Sequence, residues 1–380
     1  MNKSLLKLIA VNVFLASSFT GVRLAAPLNA LTDGYGTASL GFLLALFALS
    51  QVFLALPAGR YCDRHGLKRP VLYAVIATTV GTGLAAVYPH YPALCLAAIL
   101  TGGANGAVFI CLQRHLGRAA TNSAELKTVF SWFSVGPALA NFMGPLAAGL
   151  LIDYVGYRWT FVVLALLPLI SWWCVRDAIE LPPVPPEPDA ADQKAWHLLR
   201  RPMFRKLMLV NWLISGSWDV HTLAVPIFAH ERGLSASQIG VIFGAFATAV
   251  TVVRMAVPAM SSRLREDTVM TASLLIATVS FALYPFQSTA LGMGLVSVLL
   301  GCGLGVAQPM IMSTLHQVTP ESRHGEALGL RMMFVNASSV AMPMLFGALG
   351  TAVGISAMFW ATSVVVVSGT RMALQLKLKD

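Results

Sequence analysis

Apolar residues run along this chain in stretches of about 20, too long and too unbroken for helices that bury only one face. The stretches lie near 6–30, 36–58, 70–89, 92–114, 126–152, 158–177, 206–229, 236–260, 268–287, 290–313, 326–350 and 354–375. Each predicts a membrane-spanning helix, because the hydrocarbon core of a bilayer takes roughly 20 residues at the helical rise. Most connections between them are short. One is long: Asp177 to Lys206 contains Leu181-Pro-Pro-Val-Pro-Pro-Glu-Pro-Asp189. Prolines cannot donate backbone hydrogen bonds and favour extended backbone, so this stretch reads as a semi-rigid linker. It divides the chain into a six-helix bundle at 1–177, a cytoplasmic proline-rich linker at 178–205 and a second six-helix bundle at 206–380. Ala195-Trp-His-Leu-Leu-Arg-Arg201 reads as a short helix on the membrane surface. The expected fold is all-α and integral to the membrane, with twelve transmembrane helices.

Composition agrees. Of 380 residues, 57% are apolar and 11% charged, against roughly 25% charged in soluble domains. The start, Met1-Asn-Lys-Ser-Leu-Leu-Lys7, resembles the head of a signal peptide. The apolar stretch continues through Leu24-Ala-Ala-Pro-Leu-Asn-Ala-Leu31, however, which suits a retained first helix. The net charge of +10 is explained by where the cations sit. Of the 26 Lys and Arg, Arg158 and Arg232 fall outside and Arg23, Arg254 and Arg331 fall within spans, which leaves 21 on one face. That face is cytoplasmic by the positive-inside rule, so both termini are expected in the cytoplasm. No basic stripe interleaves with aromatics, so nucleic acid is not an expected partner. The five cysteines show no CxxC or Cys/His spacing, and neither a disulfide framework nor a metal site is expected.

The halves repeat. A shift of 201 residues places Pro57 on Pro258, Gly102 on Gly303, His115 on His316, Glu125 on Glu326 and Phe133 on Phe334. Both halves start inside, which predicts a parallel repeat about an axis along the membrane normal.

The connection after span two reads Gly59-Arg-Tyr-Cys-Asp63-Arg64-His-Gly66-Leu-Lys68-Arg69. Glycines permit a tight turn and close backbone approach, and Asp63 can cap a helix or pair with a cation. The pattern G-x-x-x-D-R-x-G-x-K/R-K/R resembles the signature loop of the major facilitator superfamily. Twelve spans, the repeat and the long central connection extend the resemblance along the whole chain. It implies that this loop acts in switching between conformations. Span five carries Asn141-Phe-Met-Gly144-Pro145-Leu-Ala-Ala-Gly149. Small residues and proline suit ordinary helix packing. Gly144-Pro145 with Gly149 also resembles the span-five motif of proton-coupled exporters in the superfamily, whose usual form is G-P-x-x-G-G. Span four departs from those exporters. In Gly102-Gly-Ala-Asn105-Gly106, Asn105 and Gly106 fit, but Gly102 stands where they carry arginine. The resemblance ties that arginine to proton coupling.

Ionisable groups inside spans cost a few kcal/mol or more, which makes each a functional candidate. They are Arg23 in span one, Asp219 and His221 in span seven, Arg254 in span eight and Arg331 in span eleven. The resemblance implies that spans one, four, seven and ten line a central cavity, flanked by two, five, eight and eleven. A pair between Asp219 and Arg23 is expected as an outer gate that protonation would weaken; a static pair is the plainer alternative. Arg254 and Arg331 suit an anionic or zwitterionic solute, or else reach back to the inner surface. His115 and His316, at matching inner helix ends, read as structural. Met310, Met312 and His316, with Met255, Met332, Met333, Met342 and Met344, would suit Cu(I), although scattered methionines fit packing.

No Walker loop and no catalytic triad or metal-helix pattern is present, so the chain reads as a transporter and not an enzyme, with no cofactor. The leading expectation is a multi-pass inner-membrane carrier, acting as a monomer, that exports a small organic solute in exchange for protons. A proton-coupled importer of organic anions, a copper importer and a non-transporting sensor are the rivals.

Overall fold

A computed structural model describes residues 3–35, 37–178, 180–181, 195–234 and 236–376, without the side chains of 3, 4, 37, 38, 41, 230, 236, 237, 240 and 340–353. Half of the proline-rich linker, 179 and 182–194, lies outside them, as do the side chains of Met342 and Met344. All regular elements among the described residues are helices. They are α1 (Lys3–Thr32), α2 (Thr37–His65), α3 (Lys68–Val87), α4 (Tyr91–Ala119), α5 (Ser123–Phe133) and α6 (Val135–Val175), then α7 (Pro202–Glu231), α8 (Ala236–Met260), α9 (Glu266–Leu283), α10 (Ala290–Val318), α11 (His324–Val353) and α12 (Ile355–Leu374). The expected surface helix after the linker is a single 3₁₀ segment, Ala195–Arg200. Nine helical stretches among the described residues are long and apolar enough to cross a bilayer. One of these, Ser123–Val175, runs for 53 residues and is interrupted at Gly156, whose φ of 78° suits glycine alone. Expected spans five and six meet at that break.

The chain divides into two compact units. Unit 1 comprises Met1–Ala119, Phe133–Ala195 and Pro320–Asn336. In it α1 packs along α6, α2 along α4, and α3 between α4 and α6. Phe19, Val22, Leu43, Phe47, Leu94, Phe161 and Leu164 fill its core. With apolar side chains equally at home in lipid, close packing and interhelical hydrogen bonds hold such bundles. Ser18 donates to Leu164 O at 2.6 Å, Thr20 to Ala140 O at 2.9 Å and Ser171 to Val11 O at 3.0 Å. Unit 2 comprises Ala120–Trp132, Trp196–Thr319 and Ala337–Asp380. Its α8 and α9 pack on α10, and α12 packs on α9 and α7. Phe359 stacks on Tyr284 at 5.0 Å and meets Phe228 edge-on at 5.4 Å. These units differ from the sequence halves at two segments: α5 up to Trp132 clusters with unit 2, and the start of α11 with unit 1.

The repeat is present, but its register differs from the expected 201. Tyr91–Ala119 and Ala290–Val318 are offset by 199 at both ends, as are Lys3–Thr32 and Pro202–Glu231. Pro27 and Pro226 keep the same offset, as do the left-handed glycines Gly34 and Gly233. Packing agrees. A Cβ on Gly102 would meet Phe47 O and one on Gly301 would meet Phe246 O; Gly106 and Gly305 approach Gln51 and Val250 in the same way. The 201 spacing begins only at α5 and α11. Residues 120–122 precede α5, whereas 319–323 precede α11, two more. Pairing Pro57 with Pro258, Gly102 with Gly303 and His115 with His316 was coincidence. The Glu125–Glu326 and Phe133–Phe334 matches belong to the true register of those two helices.

Candidate functional site

The signature loop forms a clamp within unit 1. α2 continues to His65, Gly66 turns with φ 73°, and α3 starts at Lys68. The Glu180 carboxylate accepts from Leu67 N at 3.2 Å and Lys68 N at 2.9 Å, which satisfies amides left open at the helix start. Asp63 is the centre. Its Oδ1 accepts from Arg114 Nε on α4 at 2.5 Å and from Gly325 N at 2.9 Å. Its Oδ2 accepts from Glu326 N at 3.1 Å. An anion at a helix N-terminus meets both free N–H groups and the positive end of the dipole. Gly59 has a steric role: a Cβ there would strike Gly325 O, and one on Gly325 would strike Gly59 O. Here α2 and α11 touch backbone to backbone. Glu326 then accepts from Arg60 and Arg323, each at 2.7 Å, and Arg118 donates to Glu321 at 2.7 Å.

Of the predicted loop residues, Gly59, Asp63 and Gly66 therefore come together, and Lys68 contributes its backbone amide. Arg64 and Arg69 are exposed. Sequence reasoning missed Arg114, Glu180, Gly325 and Glu326. Arg114 was legible only as a basic helix end, and Glu326 as an acidic helix start and a repeat match to Glu125, neither of which points to Asp63.

The span-five motif divides likewise. A Cβ on Gly144 would collide with Thr20 Oγ1 and lie 2.5 Å from Ser17 O, so this glycine lets α6 cross α1 closely. Pro145 follows inside α6. Gly149 has nothing within 4 Å of such a Cβ. Gly102 explains the departure in α4: a Cβ would stand 2.5 Å from both Phe47 O and Ser50 Oγ, which leaves no room for arginine. Asn105 is half-buried on the same helix.

The intramembrane candidates are divided between the two units. In unit 1, Arg23 is exposed on α1, and Arg331 is buried on α11 with Met332 Sδ at 4.0 Å. Arg331 is 3% exposed, which counts against the alternative that it reaches back to the inner surface. In unit 2, Asp219 is half-buried on α7, and it accepts from Ser339 at 3.1 Å and Ser338 at 3.5 Å, both on α11. Arg254 donates to Gly305 O at 3.3 Å and lies 5.9 Å over the Trp218 ring. His221 is fully buried. It meets Ser297 Oγ at 3.1 Å, which also bonds the Tyr284 hydroxyl at 2.7 Å, and it stacks on Phe246 at 4.1 Å. Three aromatic rings and the Ser297 hydroxyl surround it. His115 and His316 are both buried, and His316 stacks on Phe130 at 5.3 Å. Met310 and Met312 are buried while Met255 is exposed, so these thioethers occupy unlike surroundings.

Known proteins share this architecture. The solved structure of the human organic anion transporter MFSD10 (TETRAN) superposes with a TM-score of 0.79 at 16% identity, covering 98% of this chain and 99% of that one. The multi-drug resistance efflux pump PmrA homolog of Lactococcus lactis is 24% identical over 368 residues, 93% of this chain and 90% of that protein. The tetracycline resistance protein, class D, of Salmonella ordonez is 25% identical over 326 residues, 80% and 78% of the two chains. These are membrane transporters and not enzymes. The family model described as Major Facilitator Superfamily matches residues 8–315 and 207–376; the chain belongs to that superfamily.

Proposed function

We propose that the protein is a secondary active transporter that exports a small organic compound in exchange for protons, by alternating access. In this reading twelve helices cross the cell (inner) membrane with both termini in the cytoplasm. Residues 1–177 and 206–380 are the two bundles, 178–205 link them, and the protein works as a monomer. The efflux-pump relative of Lactococcus lactis supports export. The observation that carries proton coupling is the setting of Asp219: a half-buried carboxylate in the middle of α7 whose described hydrogen-bond partners are serine hydroxyls. A carboxylate within the bilayer costs a few kcal/mol when charged. Hydroxyls can donate to the ionised form and accept from the protonated one, so both states find partners. Asp219 is thus suited to load and release a proton during the cycle, and Arg23 and Asn105 stand as further candidates along the solute path.

The test is flux in proteoliposomes with an imposed pH gradient, after a thermal-shift screen has identified a solute. Asp219→Asn is expected to abolish gradient-driven uphill transport while leaving solute exchange. An unchanged rate and pH dependence would remove Asp219 from coupling. Import of an organic anion, with Arg254 and Arg331 as its cationic contacts, is the second reading. Uptake by right-side-out vesicles and none by inverted ones would favour it.

A further inference from the structure

We infer that Glu266, with Ser123 and Lys127, is a second carboxylate clamp that holds the start of α5, as Asp63 holds the start of α11. The inference rests on the alternating-access reading for its role, but its geometry lies wholly within unit 2. Glu266 Oε1 accepts from Ser123 Oγ, the first residue of α5, at 2.5 Å. The Lys127 ammonium, one turn further, lies 3.3 Å from the same carboxylate, with side-chain exposures of 6% and 11%. Lys127 Nζ also donates to Leu264 O at 2.5 Å and Ser261 O at 3.4 Å, in the turn after α8. From the α10 side, Ser313 and Gln317 donate to Glu266 at 2.9 and 3.0 Å. A cavity of about 470 Å³ opens beside the group, lined by Ser123, Lys127, Glu266 and Gln317 among others.

The 199 offset gives this cluster its meaning. Ser313 occupies the place of Arg114, which holds Asp63, and Gln317 the place of Arg118, which holds Glu321. The same two positions hold acids in both repeats, but with opposite assignments of charge. In unit 1 the cation comes from α4 and the helix being held offers backbone N–H groups. In unit 2 the α10 partners are neutral and the helix being held brings its own cation, Lys127. The acid itself has moved. The 199 counterpart of Asp63 is Ser262, and Glu266 replaces it from the first turn of α9, which is why no second signature loop is legible. A buried ammonium needs its counter-charge, so Lys127 cannot leave this seat without Glu266 or water to receive it. Glu266 is accordingly a positioning residue, acting through Lys127 and Ser123 to set how readily the start of α5 is released.

The test uses the full chain with its five cysteines replaced and one introduced by Ala124→Cys, at the seated start of α5. The rate of maleimide labelling at that thiol reports release and needs no solute. Glu266→Gln and Lys127→Ala are each expected to raise the rate roughly tenfold, the lower end of what a charged hydrogen bond supports. The charge swap Glu266→Lys with Lys127→Glu should return it to within about threefold of the starting rate. If the swap fails to fold by thermal shift, Ser123→Ala replaces it, with an increase of about threefold expected from losing one hydroxyl donor. Labelling that stays within about twofold in both single variants overturns the clamp, as does a folded swap that restores nothing. Flux is read separately, with a changed maximal rate and an unchanged KM expected. If no solute is transported by the parent protein, the transport reading fails while the labelling still decides the clamp.

Discussion

Asp63→Asn is the most discriminating perturbation of the signature-loop clamp. The change keeps shape and one acceptor oxygen but removes the charge, and its amide N–H₂ then faces a backbone N–H of the α11 start. Arg114 is left behind with 4% of its side chain exposed, beside a group that was itself 10% exposed. Breaking a buried pair by removing one partner costs about 3–5 kcal/mol, because a charge remains buried and uncompensated. The oxygen retained by asparagine offsets part of this, so about 3 kcal/mol is expected. The Arg60–Glu326 pair, whose arginine is 47% exposed, adds little. At about 1.4 kcal/mol per tenfold, the balance between held and released forms of residues 320–336 shifts roughly a hundredfold. Hydrogen–deuterium exchange reads this directly, since the amides of Gly325 and Glu326 are the donors. Peptides covering 320–336 should exchange far faster in the variant, with core peptides of α3 unchanged. In the double variant with Arg114→Gln the loss should be smaller than the sum by about 1–3 kcal/mol, since no arginine is then stranded. Exchange at 320–336 within about threefold of the parent, in a folded protein, would refute the account.

Two further outcomes follow from packing. Gly144→Ala should lower stability by about 1–3 kcal/mol through overpacking at the α1–α6 crossing, whereas Gly149→Ala, which meets open space, should stay within about 0.5 kcal/mol; thermal unfolding in detergent compares them. Gly102→Arg, which would restore the arginine of the exporter pattern, should reduce the yield of folded protein on size-exclusion chromatography instead of adding a coupling group, because its Cβ meets the Phe47 carbonyl at 2.5 Å.

The sequence by itself determined the membrane character, the helical class and the superfamily. Unbroken apolar runs of about 20 residues cross a bilayer as helices that satisfy their own backbone, since a barrel strand needs only about 10, and the loop from Gly59 to Arg69 concentrates glycine, acid and base at a fixed spacing. It singled out Gly59, Asp63 and Gly66 together with Arg64, Lys68 and Arg69, but not what any of them touch. Hydrophobic periodicity carries no information about partners 262 residues away, such as Gly325 for Asp63. The repeat was legible and its register was not. Two extra residues before α11 shift the offset from 199 to 201, and isolated matches at the wrong shift look as good as those at the right one until helix ends and crossing glycines align them. Only the tertiary structure could separate His221, walled in by aromatic rings, from Asp219 two residues earlier, held by serine hydroxyls. Successive positions on a helix point in different directions, and what each meets is decided by the neighbouring helices.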